Sequence, residues 1–169
     1  MTRFAIAVGL TTACIATAAW AETPPIMGRA EACLRANVDR VVAVEPDLQS
    51  AATFLVNFAC AEPTAGAARY ERNVALLGTF SAMSSTLPKG FEKSAISMRV
   101  DATVDPETGH FVIAPPKPGE QPSPLTAMLP QMSANAGMML PDTAPVSLRR
   151  LAGELVLAAR EKQKTGSRR

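Results

Sequence analysis

The sequence predicts an α+β protein: a small domain of two to three helices, tied by a disulfide and joined to a β-hairpin, then a proline-rich extended arm and a C-terminal amphipathic helix. Three observations predict it. Apolar residues recur every three or four positions through much of residues 26–85, the helical period. From Ile96 to Val104 they alternate instead, the period of a strand. No aromatic residue follows Phe111, and eight of the 32 residues from 114 to 145 are proline.

Residues 26–44 fit a first helix, with Ala30, Cys33, Leu34, Val38, Val41 and Val42 on one face. Glu45-Pro46-Asp47 breaks it, because the residue before a proline avoids helical geometry. Pro46 and Asp47 suit the first turn of a second helix carrying Leu48, Ala51, Ala52, Leu55, Phe58 and Ala59 inward. Residues 53–60 also read as a strand, since Phe54, Val56, Phe58 and Cys60 alternate; helix is the preferred reading. As a helical hairpin, it sets Cys33 beside Cys60. Thr64 can cap a third helix running to about Ser85, with Tyr70, Val74, Leu77 and Phe80 or Ser81 inward.

Pro88-Lys89-Gly90 ends that helix, and the alternating strand follows, with Ile96, Met98, Val100, Ala102 and Val104 on one face. Asp105-Pro106-Glu107-Thr108-Gly109 is a turn, Pro106 suiting its second position and Gly109 the left-handed residue that closes it. Residues 110–114 form the return strand. A body of residues 26–113 results. Residues 114–145, rich in proline and methionine, are expected to hold no regular helix and to act as a linker. Residues 146–169 form an amphipathic helix with a basic tail. Leu148, Leu151, Ala152, Leu155 and Ala159 share its apolar face, and Asp142 or Thr143 can cap it.

Residues 1–21 read as a cleavable signal peptide: a positive start at Arg3, an uncharged run from Phe4, and a small-x-small site at Ala19-Trp20-Ala21. Ala16-Thr17-Ala18 is a second site. An uncleaved anchor and a lipoprotein acylated at Cys14 are alternatives, the latter without the residues a lipobox prefers. Cleavage leaves 148 residues, enough for one domain, and two cysteines, Cys33 and Cys60, which in an oxidising compartment pair. Such a bridge contributes about 3 kcal/mol. The expected location is the periplasm or the exterior.

The charge is unevenly placed. Residues 22–148 carry −4 and residues 149–169 carry +5, within a formal total of +2 for the chain. Nucleic acid is not an expected partner for an exported, acidic body, and the mature chain holds no transmembrane span. The chain has no GxSxG, no phosphate loop and no EF-hand spacing. His110 is its only imidazole, beside the hairpin turn. Thr86-Leu87-Pro88-Lys89 is a poor match to SxxK, with a proline where that geometry needs helix. Asp101 and Asp105 fall on an exposed strand and turn. Met128, Met132, Met138 and Met139 could bind Cu(I), yet no histidine accompanies them. The run Phe54-Leu55-Val56, Cys60-Ala61, Tyr70, Asn73 has the look of a signature, with no function attached.

The expected function is therefore an exported, non-catalytic cell-envelope protein acting as an interaction or structural module, without metal or cofactor. It would dock a protein or envelope partner through Leu148, Leu151 and Leu155 and the basic tail, the body itself and a second copy being the other surfaces this face could cover. Alternatives are a small periplasmic enzyme using carboxylates assembled by the fold, and a Met-rich copper-binding protein.

Overall fold

The computed structural model describes residues 23–86, 100–119, 123–139 and 143–166. The expected signal peptide of residues 1–21, the Pro88-Lys89-Gly90 break, Ile96 and Met98 of the expected first strand, Asp142 and the last three residues of the basic tail lie outside them. Among the described residues six helical segments and one two-stranded sheet follow each other along the chain. The order is α1 (Pro25–Val44), α2 (Leu48–Phe54), a π-helical turn (Leu55–Ala59), α3 (Ala61–Ser85), β1 (Ala102–Val104), β2 (Phe111–Ile113), α4 (Pro124–Met139) and α5 (Val146–Gly166). The molecule is mainly helical, and the sheet is small.

Helix α1 buries Ile26, Ala30, Leu34, Val38, Val41 and Val42, the stripe that apolar spacing predicts. Pro25 occupies its first turn, where the missing N–H costs nothing. Its capping residue supplies no side-chain bond, but the Ile26 N–H donates to the Pro106 carbonyl at 3.1 Å, so the hairpin turn closes the helix start. The chain leaves the helix at Glu45, whose backbone is extended, and Asp47 caps α2 by accepting from the Ser50 N–H at 2.7 Å.

Residues 53–60 are helical, not a strand. The Cys60 N–H reaches back to the Leu55 carbonyl at 3.0 Å, a bond spanning five residues. The wider turn delays the side chains beyond it around the axis. Cys60 turns inward in this way, as do Val56, Ala51 and Leu55, whereas Phe58 and, before the turn, Leu48, both expected inside, are exposed. Cys33 and Cys60 stand at disulfide distance with Cα atoms 5.9 Å apart, tying α1 to the end of this turn.

Helix α3 starts at Ala61, before the expected cap. Thr64 is buried within it, its hydroxyl donating to backbone carbonyls, Cys60 at 2.8 Å being the nearest. Its inward face is Thr64, Ala67, Ala68 and Asn73, with Tyr70, Leu77 and Phe80 half-buried and Val74 and Ser81 exposed. Small residues let α1 come close: a Cβ on Gly66 would stand 3.0 Å from the Ile26 side chain.

The hairpin forms as its turn chemistry predicts. Ala102, Thr103 and Val104 pair antiparallel with Ile113, Val112 and Phe111. Gly109 has φ +72°, and the Asp105 carbonyl accepts its N–H at 2.8 Å.

The expectation of a helix-free linker is overturned by α4. Proline count misleads because proline position decides. Pro115, Pro116 and Pro118 precede the helix, Pro124 opens it, where proline is tolerated, and Pro145 follows it. Pro130 alone lies inside, where it forgoes one backbone bond. Thr126 and Leu129 are buried and Met132, Ser133, Ala136 and Gly137 half-buried, a helical stripe facing the body.

The C-terminal helix is likewise no separate appendage. Helix α5 packs on α1 and α2, and Leu148, Ala152, Val156 and Ala159 join one core with Leu34, Val41 and Leu55. Val156 extends the apolar face read from sequence. Arg160 donates from Nη2 to the Glu45 carbonyl at 3.0 Å, securing the far end of α5 to the α1–α2 corner. Burying each of these leucines and valines contributes about 1.5–3 kcal/mol.

Candidate functional site

The hairpin turn is seated between α1 and α3 by polar contacts. Arg29 pairs with the Glu107 carboxylate and also donates to its carbonyl. Gly109 lies against the backbone of α3, where a Cβ would stand 2.9 Å from the Tyr70 nitrogen. Glycine is thus required at this position twice over, by its φ and by this approach.

Asn73 organises what surrounds the turn. It is 0% exposed. Its Nδ2 donates to the Gly109 carbonyl at 2.8 Å, and its Oδ1 accepts from the Ser133 hydroxyl at 3.0 Å. The carbonyl can only accept, which fixes the orientation of the amide and commits the Ser133 proton to Asn73. One amide therefore joins α3, the hairpin and α4. A second link runs from the Asp101 N–H to the buried Thr126 Oγ1 at 3.3 Å.

These links leave an open recess of about 410 Å³ between α3, β2 and α4. Arg69, Arg72 and His110 line it with nitrogen-bearing side chains. Phe111, Pro130 and Ala134 supply an apolar wall, and Ser133 and Gly137 complete it. Among the described residues none that lines it is acidic. Arg69 Nη1 lies 3.1 Å from His110 Nε2 and 3.5 Å from the Thr108 carbonyl. A guanidinium can only donate, so the part Nε2 plays in this contact is set by the imidazole tautomer.

The residues singled out by sequence fall elsewhere, and His110, read as an exposed polar residue of the return strand, is exposed and lies in the lining. Leu148 is buried, and Leu151 and Leu155 pack partly buried against the same core. The apolar face expected to dock a partner is thus turned into the chain's own body: its leucines complete a core that α1 and α2 leave open. Lys162 and Lys164 of the basic tail remain exposed. Asp105 serves the turn, accepting from the Thr108 hydroxyl at 2.7 Å and the Glu107 N–H at 2.9 Å. The Thr108 bond first, then the Glu107 N–H, holds its carboxyl below the ordinary value of 3.8. Among the described residues no three of His, Cys, Asp and Glu gather where a metal could sit. Met128 is exposed and Met132 half-buried on α4.

Arg69, Arg72 and Ser133 are not legible as a site from spacing alone. The apolar period of α3 points Tyr70 and Val74 inward, a face rotated away from Asn73, and proline count hides α4. Spacing also misses an exposed pair. Phe54 and Phe58, 41% and 69% exposed, stack with ring centroids 5.2 Å apart beside the π-helical turn. Among the described residues no helix is long and apolar enough to cross a membrane. No protein-family model matches this chain, and neither a curated protein nor a solved structure does so.

Proposed function

We propose that this chain is an exported, non-catalytic module of the cell envelope that works by binding, with the recess between α3, β2 and α4 as its receiving site. The observation that carries the reading is the convergence of Arg69 and His110 with an apolar wall on a scaffold that Asn73 already holds in place. A site ordered before its ligand arrives spends little of the binding energy on ordering itself. Export is supported by the charge and size pattern of residues 1–21, and the Cys33–Cys60 pair suits an oxidising compartment. The exposed Lys162 and Lys164 add a basic contact for an acidic partner or surface.

Two measurements test this. N-terminal sequencing of the exported protein should begin at Glu22, so that the mature form lacks Trp20; a product keeping Trp20 contradicts a cut after Ala21, and one acylated at Cys14 contradicts soluble export. Crosslinking in intact envelopes should capture a partner with the wild-type chain. The capture should fall with Ala134→Phe, which fills the recess, and with Lys162→Gln plus Lys164→Gln. Deleting α5 is unsuitable here because it removes part of the core. Equal recovery by all three proteins would contradict the reading.

A further inference from the structure

We propose that the recess selects an organic carboxylate with a small apolar body, the carboxylate on Arg69 and the apolar part against Phe111, Pro130 and Ala134. This rests on the reading of the recess as the binding site and adds the class of ligand.

The donors favour an oxyanion. A guanidinium carries five N–H donors in a fixed plane. Among the described residues Arg69 engages only Nη1, with His110 and the Thr108 carbonyl. Both contacts are on Nη1, so the Nε and Nη2 edge is the one a planar, two-oxygen partner would take. That is the side-on arrangement in which arginine and carboxylate match best. Ser133 contributes no proton, since its hydroxyl donates to Asn73. Recognition of charge therefore falls to the cationic side of the recess.

The rest of the lining decides between anions. Inorganic phosphate seeks donors on all sides, but the Phe111 ring, the Pro130 ring and the Ala134 methyl offer none. An acid with an apolar portion satisfies both walls together. The volume of about 410 Å³ lies toward the small end of the range of about 300–1,000 Å³ found for ligand sites, which suits a compact molecule.

The test uses the purified mature chain, labelled for amide resonance spectroscopy and titrated with benzoate, benzyl alcohol and inorganic phosphate separately. Benzoate should shift the amides of Gly109, Phe111, Ala134 and Gly137 saturably. Benzyl alcohol and phosphate should bind at least about tenfold more weakly, the loss of one charge-assisted contact or of the apolar one. Arg69→Gln should cost benzoate about tenfold while Arg69→Lys retains part of the affinity. If Arg69→Gln does not fold, Ala134→Phe, at an exposed position, tests the same site by occupying it. Equal affinity for phosphate or for benzyl alcohol would overturn the carboxylate assignment while leaving the recess a binding site. Unshifted resonances with all three probes would remove the recess reading itself.

Discussion

Where α1, α2 and α5 meet, aliphatic side chains hold the molecule: Leu34, Val41, Leu55, Leu148 and Val156 interlock, and the Cys33–Cys60 pair closes the same cluster. Where the hairpin and α4 meet α3, the principal links are directional. They are the two bonds of Asn73, the Asp101–Thr126 contact and the close approach of Gly109 to α3. Apolar packing tolerates a shift of contacts among many neighbours. A buried hydrogen bond has one partner and leaves an unmet polar group when that partner goes. The first region therefore supplies most of the stability, and the second supplies placement. The recess lies on the second side, where Arg69 and His110 must keep a set separation.

This contrast can be broken from either side. The largest effect belongs to the aliphatic side. Leu148→Ala leaves a cavity where no water reaches, and should lower the unfolding free energy in denaturant by about 2–5 kcal/mol. Replacing Cys33 by alanine should cost a similar amount, about 2–5 kcal/mol. A change under about 0.5 kcal/mol at Leu148, the usual range for surface substitutions, would place α5 outside the core.

Intermediate effects belong to the polar side. Asn73→Ala strands the Gly109 carbonyl and frees the Ser133 hydroxyl, and should cost about 1–3 kcal/mol. Its more specific consequence is local: amide exchange should quicken in the hairpin and α4 before it does in α1. Gly109→Ala should act on the same elements, since its Cβ would meet the α3 backbone at 2.9 Å. Uniform loss of protection across the whole chain would contradict the division of labour.

The smallest effect is a capping one. The Ser50 N–H first, then the Ser50 hydroxyl, holds the Asp47 carboxyl below its ordinary value of 3.8. A lowered folded-state pKa contributes stability that is present above the unfolded value and lost as pH falls through the folded one. Acid titration below pH 3.8 should thus weaken the wild type more than Asp47→Asn, whose cap does not titrate. Parallel acid curves for the two proteins would remove Asp47 from the account.

The same division explains what can be read from the chain. The α1 stripe, the α5 stripe and the hairpin turn are legible because period and turn chemistry are local signals. The pairing of Cys33 with Cys60 follows from a helical hairpin, although Phe58 and Val56 exchange places once the π-helical turn adds its residue. The recess is not legible. Asn73 acts through a carbonyl 36 positions away and a hydroxyl 60 positions away, and no spacing rule reports such bonds. Helix α4 is hidden by its prolines, of which only Pro130 interrupts the ladder. Helix α5 is recognisable as a helix but not as core, because an amphipathic stripe does not name the surface it covers.

That last distinction is the most direct to measure. Hydrogen exchange of residues 22–169 should show the amides around Leu148, Ala152 and Val156 protected as strongly as those around Leu34 and Val41. Leu151→Asp combined with Leu155→Asp should then expose α1 along with α5, because both helices share one core. If α5 instead exchanges like a free peptide, and the double substitution leaves the protection of α1 intact, the helix is an independent arm and the account of α5 as part of the body is wrong.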